Sequence, residues 1–276
     1  MACKSEAADR MKDMIENLPV KIQSLVSGKK YTCDDMGKSQ AKVLVFDDCV
    51  LKIEKASAKN DESVAMMRWL EGKVPVPKIL AYEKDAENQY LLMSKVSGKM
   101  SCDDYYMSRP KELCEFLAQA LKLLWSVDIS DCPRKITLDD ELAEARYRVE
   151  NNLVDMSDAE PETYGPDGFE NPKALLEWLE ANKPEREPVL SHGDFCLPNI
   201  FIEDGKLSGL IDLGDTGVND KWLDIALCYR SLKHNADGTW GKKIYEGFNP
   251  ELLFEALGIE PDWEKINYYI LLDELF

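Results

Sequence analysis

Residues 190–215 read LSHGDFCLPNIFIEDGKLSGLIDLGD, and the fold of the whole chain turns on what this stretch is. Asp204-Gly205 is a strong signal for a two-residue type I′ turn, with NIFI and KLSGLI as the antiparallel strands on either side. With that turn Glu203 faces Lys206, so Asn199 falls opposite Leu210 and Asp212 opposite Leu197. The two polar residues are then offset by two rungs, about 7 Å along the strand, at the open end of the hairpin beyond its apolar bodies. A carboxylate and an amide oxygen placed there make a hard-oxygen site suited to Mg²⁺, which takes one or two carboxylates and leaves its other positions to water and phosphate oxygens. Asp194, in the loop before the hairpin, is free to face whatever accepts a metal-bound phosphate. Each Asx residue alone reads equally as a turn or cap. The joint pattern His-Gly-Asp, Asn199, hairpin, Asp212 carries the reading. His192 has no Ser or Cys partner and reads as a hydrogen-bonded structural residue of the loop.

Working outward toward the N-terminus, residues 1–30 read as a helix and a turn. AKVLVFDDCVLKIEK (41–55) has a hairpin pattern: Val43 and Val45 alternate, Asp47-Asp48 supplies the turn, and Val50 to Ile53 resumes β-branched sequence. NDESVAMMRWLEGK (60–73) reads as a helix ending near Gly72, and residues 74–98 give two further strands, the second ending near Ser94. Then the character changes. In SRPKELCEFLAQALKLLWSVDIS (108–130), Leu113, Phe116, Leu117, Ala120, Leu121, Leu124 and Trp125 recur at helical spacing behind Ser108 and Pro110. Residues 138–185 form an acidic helical region. Its second helix starts at Asn171 as N-cap with Pro172 at the first helical position, after a loop bearing Asp155, Asp158, Glu160, Glu162, Asp167 and Glu170. Helices are expected from the quoted hairpin to the end. A β-rich first third followed by a helical remainder is an α+β chain of two lobes, with a cleft where they meet.

The chain has 276 residues and a formal net charge of −18, with 45% hydrophobic and 31% charged residues, a globular composition. That field repels nucleic acid and anionic membrane and attracts cations. No apolar run approaches the ~20 residues of a membrane span, and MACKSEAADRMKDMIENLPV carries no apolar signal core; a cytoplasmic location is expected. None of the 8 cysteines forms a C-x-x-C pair, and the 2 histidines leave little room for a His-rich metal site. GKSQAK (37–42) is not a Walker loop: the first glycine would fall on Thr32, and the segment opens a strand rather than a helix.

His192-Gly193-Asp194 through Asn199, followed by Ile211-Asp212-Leu213-Gly214, resembles the catalytic segment of the aminoglycoside phosphotransferases, relatives of the protein kinases. The resemblance extends to DKWLDIALCYRSL (220–232), YYILLDELF (268–276), WLEGKVPVPKIL (69–80) and DISDCP (128–133), and so to nearly the whole chain; these stretches resemble the 3′-phosphotransferases in particular. It implies a two-lobed kinase-like fold, with residues 1–94 as nucleotide-binding lobe and 95–276 as catalytic and substrate-binding lobe, residues 138–185 being a helical insertion. It implies ATP and Mg²⁺ as cofactors and a polycationic aminoglycoside as substrate, phosphorylated at the 3′-hydroxyl, giving antibiotic resistance in a monomer or homodimer. Asp194 would orient or accept the proton of the substrate hydroxyl, Asn199 and Asp212 would hold Mg²⁺, and Lys52 would hold the α and β phosphates. Ser39 in a turn over the phosphates, Val50, Met93, Ser94 and Glu62 complete the nucleotide set. Glu160, Glu162, Asp273, Glu274 and the terminal carboxylate of Phe276 would receive the ammonium groups.

Three positions depart from the family pattern. Relatives pair the strand lysine with a glutamate six residues before the tryptophan. Relative to Trp69 that place is Ser63, with Glu62 one residue earlier, so either the helix shifts register or the ion pair is altered. Val50 stands where some relatives stack adenine on an aromatic ring, which leaves ATP versus GTP open. Asp215 stands where close relatives can carry a basic residue. The alternatives are a kinase for another small cationic alcohol or sugar, and a nucleotide-binding module without transfer activity.

Overall fold

The computed structural model describes residue 15 and residues 17–34, 41–241 and 243–276. Strands β1 (Tyr31–Asp34), β2 (Lys42–Phe46), β3 (Cys49–Lys55), β4 (Ile79–Lys84) and β5 (Asn88–Ser94) form one antiparallel sheet in the order β1-β2-β3-β5-β4. Side chains alternate across a pleated sheet, which sorts this one into two faces. Leu44, Leu51 and Leu92 sit opposite one another and join Ile22 and Val26 of helix α1 (Val20–Val26) in a buried cluster. Val50, Lys52 and Met93 therefore share the other face. Helix α2 (Ala58–Leu70) begins where Ser57 Oγ accepts from Asn60 N at 3.2 Å and stops before Gly72, whose φ is +77°.

The second lobe is built on helices α3 (Asp104–Met107), α4 (Pro110–Trp125), α5 (Leu138–Glu150), α6 (Pro172–Ala181), α7 (Lys221–Asp237), α8 (Leu252–Leu257) and α9 (Trp263–Asp273). The expected start signals hold: Pro110 opens α4, and Asn171 Oδ1 accepts from Ala174 N at 3.0 Å at the head of α6. Buried Leu113, Leu117, Leu121 and Leu124 of α4 and Leu223, Leu227 and Leu232 of α7 belong to one continuous core with α6 and α9. Between the hairpin and α7 the chain does not go straight to helix: β10 (Gly217–Asp220) pairs antiparallel with β7 (Pro188–Ser191) and clamps the two ends of the loop region 192–216. Among the described residues no helix is long and apolar enough to cross a membrane.

The hairpin is present as β8 (Ile200–Glu203) and β9 (Lys206–Leu210), with Asp204 and Gly205 both at positive φ as a type I′ turn requires. Its expected register holds at Glu203↔Lys206 and Ile202↔Leu207, then a bulge at Ser208 shifts it to Phe201↔Gly209 and Ile200↔Leu210. Asn199 consequently meets Ile211 (Ile211 N to Asn199 O, 2.9 Å), not Leu210, and Asp212 comes one rung nearer Asn199 than a regular hairpin would place it.

The lobes are stitched together at this hairpin. Strand β6 (Lys99–Met100) adds to β8, Ser208 Oγ donates to Ser97 O at 2.7 Å, and Leu210 N donates to Pro75 O at 2.9 Å. The linker passes so close that a Cβ on Gly98, at φ +89°, would lie 2.4 Å from Ile202 O. Gly98→Ala is therefore expected to destabilise the protein by about 2 kcal/mol or more through left-handed strain plus the backbone clash, read as a lower denaturant midpoint at unchanged m-value.

Candidate functional site

The loop 192–199 is held from below by one carboxylate. Asp224, in the first turn of α7 and fully buried, accepts from Ser191 Oγ (2.9 Å), His192 N (2.8 Å) and Gly193 N (3.0 Å). Burial pushes its carboxyl above the usual range, against the pull of His192 and of these hydrogen bonds. Seven residues on, on the same helix face, Ser231 Oγ accepts from Leu197 N at 3.0 Å. His192 is structural, as its sequence context implied: it is buried, Nδ1 accepts from Asp194 N (3.2 Å), and Nε2 donates to Ile211 O (2.9 Å). That arrangement fixes the tautomer. Gly193 has φ +86°, and a Cβ there would lie 2.3 Å from Asp215 O. The close approach brings the Asp194 loop against the loop that carries Asp212.

Asn199 Nδ2 donates to Asp194 Oδ2 at 2.8 Å and to Asp194 O at 3.1 Å. Those two bonds use the amide nitrogen, so Oδ1 is the atom Asn199 has to offer a cation. Asp212 adopts φ +56°, sparsely populated for a residue with a Cβ, and its carboxylate is 56% exposed, with Lys52 Nζ at 3.9 Å. One exposed carboxylate and one free amide oxygen are donors of the kind Mg²⁺ takes when phosphates and water complete its shell. Among the described residues no group of three or more His, Cys, Asp or Glu gathers as a self-sufficient metal cage.

Lys52 lies on the cleft face of β3 with Val50, and Met93 pairs with Val50 across β5. Ser94 closes β5; its Oγ accepts from Lys78 N at 2.9 Å. Ser39 lies outside the described residues. Glu62 is exposed, and Lys52 does not pair with it. Lys52 Nζ instead meets Glu54 Oε1 at 3.1 Å, two residues along the same strand and hence on the same face. Helix α2 keeps its register, so the inward position belongs to Ser63, whose Oγ donates to Lys59 O (2.9 Å) and Gly214 O (3.2 Å). The ion pair of Lys52 thus lies within β3 and not with a glutamate of α2, and the period-two spacing of Lys52 and Glu54 was its sequence signal. Asp215 is likewise not an unbalanced charge beside the site. Lys59 Nζ meets it at 2.8 Å and Arg134 Nη2 at 3.9 Å, while Arg134 Nη1 also donates to Gly214 O.

The expected substrate carboxylates are mostly gathered, and mostly engaged. Arg230 of α7 donates to Asp273 Oδ2 and lies 3.8 Å from Glu274 Oε1. Glu274 is nearly buried, which raises its carboxyl, and accepts from Glu160 N at 3.2 Å. Glu160 Oε1 bonds His234 Nε2, a contact that holds its carboxyl below the usual range. The Cys196 thiol is pushed well up by burial and then by the Asp194 carboxylate, with Asp273 adding to the effect. Glu162 is exposed and stands apart from these bonds. Phe276 O accepts from Arg148 Nη2 at 3.0 Å. Arg230 and His234, four apart on one helix face, were not singled out from sequence, although that spacing was visible.

The phosphotransferase enzyme family model matches residues 35–266. An aminoglycoside 3′-phosphotransferase of Enterococcus faecalis is 43% identical over 260 residues, 90% of this chain and 95% of that protein. One from Staphylococcus aureus is 42% identical over 259 residues, with the same coverage. Among solved structures, the aminoglycoside phosphotransferase APH(3″)-Id from Streptomyces rimosus in complex with ADP and streptomycin superposes with a TM-score of 0.76 at 24% identity, over 92% of this chain and 96% of that one. At that identity it speaks for the fold.

Asp224→Ala would strip the acceptor from three donors at once, two of them buried. It is expected to cost about 3 kcal/mol or more and to depress turnover beyond what the stability loss explains at a temperature where the variant is folded. Denaturant titration together with steady-state rates checks both.

Proposed function

The chain belongs to the phosphotransferase enzyme family, and from that premise we propose that it transfers the γ-phosphate of ATP to a hydroxyl of an aminoglycoside, the 3′-hydroxyl, so inactivating the antibiotic. The observation that carries this reading is the bond from Asn199 Nδ2 to Asp194 Oδ2. A single amide fixes the orientation of the carboxylate that meets the alcohol and presents its own oxygen on the side of the phosphates. Asp194 then has Oδ1 for the proton of the incoming hydroxyl. Its role is alignment and late proton acceptance, because phosphoryl transfer asks the protein mainly for in-line placement and charge stabilisation.

Lys52, facing the cleft beside Val50 and Met93, supplies positive charge to the phosphates, with Glu54 setting the position of its ammonium. Asn199 Oδ1 and the Asp212 carboxylate would hold Mg²⁺, which when bound neutralises the charge that develops on the phosphate oxygens. Residues 1–94 act as nucleotide lobe and 95–276 as catalytic and substrate lobe, with the segment 138–185 carrying Glu160 to the substrate. Asp273, Glu274 and Glu160 form the anionic wall for the ammonium groups, and Glu162 on its exposed rim adds to long-range attraction. Such an enzyme meets both nucleotide and drug in the cytoplasm.

Incubation with ATP, Mg²⁺ and kanamycin is expected to release ADP above the drug-free control and to give a product heavier by one phosphoryl group, its position fixed by fragmentation or NMR. Product only from other amino alcohols in a parallel panel would redirect the substrate assignment. Asp194→Ala is expected to lower turnover by roughly 10²–10⁴-fold while nucleotide affinity persists. Near-normal turnover would remove Asp194 from the mechanism.

A further inference from the structure

The contact between Glu160 and His234 has no part in phosphoryl transfer, yet it lies inside the anionic wall. His234 is nearly buried on α7. Nε2 bonds Glu160 Oε1, Nδ1 lies 3.6 Å from Asp237 Oδ2 without a hydrogen-bond partner, and the Trp240 ring covers it at 5.0 Å between centroids. The charged groups around the pair are Arg230, Lys233 and Asp237 on α7, Glu160 from the loop 155–170, and Glu274 with Asp273 at the end of α9. The wall is thus already occupied by basic groups of the protein: Arg230 serves Asp273 and Glu274, and His234 serves Glu160. Arginine stays charged at every relevant pH. Imidazole is the side chain whose charge ordinarily changes between about pH 5 and 8.

We infer that His234 is a specificity-determining residue of the aminoglycoside site, a titratable counter-charge that competes with a substrate ammonium for the Glu160 carboxylate. The inference rests on the aminoglycoside reading above. A neutral imidazole donates Nε2–H to Glu160 and leaves its full negative charge to attract a cation. A protonated one forms a neutral pair, and an ammonium arriving there gains correspondingly less. The bond from His234 holds the Glu160 carboxyl below the usual glutamate range, so Glu160 stays an anion. The sign follows. Affinity for a cation placed at Glu160 is full above the imidazole's titration and falls as pH drops through it, and binding below that point drives a proton off His234.

The experiment measures KM for kanamycin at saturating ATP from about pH 6 to 8, together with calorimetry of kanamycin binding to ATP-free protein in two buffers of different ionisation enthalpy. Wild type is expected to show KM rising roughly five-fold or more toward the acid end, and His234→Gln to flatten that rise. At the acid end wild type should release more protons on binding than His234→Gln does. Glu160→Gln should raise KM across the range and lose the extra proton as well. Parallel KM profiles with equal proton release in wild type and His234→Gln would overturn the inference. So would an imidazole titration, followed by NMR in wild type, that kanamycin leaves unmoved; this measurement stands even if the variants fail to fold. The chain has 2 histidines, and His192, with both ring nitrogens bonded, is the internal control. Binding that shows the proton release without any phosphorylated product would sink the transfer reaction and leave the role of His234 intact.

Discussion

Everything chemical in this protein hangs from the carboxylate of Asp224. Three donors from Ser191, His192 and Gly193 converge on it in a site without solvent, where an unsatisfied acceptor or donor is costly, so the loop has one conformation that leaves nothing unpaired. Once the loop is set, His192 can reach Ile211 O, Asp194 N can reach His192, and Asn199 can reach Asp194. The order of dependence runs from helix to loop to ring to carboxylate. Helix α7 carries the other end of the problem too: Ser231 anchors Leu197, and Arg230 and His234 organise the acidic tail. One rigid element therefore sets the distance between the Asp194 loop and the carboxylates of Glu160, Asp273 and Glu274.

Much of this was legible in the sequence because it is written in short-range rules. Turn residues at Asp204-Gly205 specify the hairpin, alternation across β2, β3 and β5 puts Val50, Lys52 and Met93 on one face, and Asn171-Pro172 starts α6. Illegible parts depend on contacts between distant segments. The bulge at Ser208 follows from the crossing of the linker, where Ser208 bonds Ser97 and Val96 packs against Gly209, and no local pattern announces that. Spacing from Trp69 alone leaves Glu62 and Ser63 as adjacent candidates for the place facing Lys52. Helical register decides between neighbours, and it gives the inward place to Ser63.

The net charge of −18 is likewise distributed in a way that composition does not reveal. Asp215, Asp273, Glu274 and Glu160 each have a basic partner, from Lys59 and Arg134, from Arg230, and from His234. These carboxylates are consequently already engaged by basic groups of the protein rather than left bare. Asp212 is the contrast: exposed, conformationally strained, and with Lys52 near only at 3.9 Å.

The pairing of Lys52 with Glu54 also bears on control. In a kinase-like scaffold a lysine clamped by a carboxylate on a separate helix can be disarmed by swinging that helix outward. A partner two residues away on the same strand travels with the lysine, while α2 meets the opposite loop through the Ser63 hydroxyl on Gly214 O and the Lys59 ammonium on Asp215. The position of the Lys52 ammonium is therefore set within one strand and does not depend on where α2 stands.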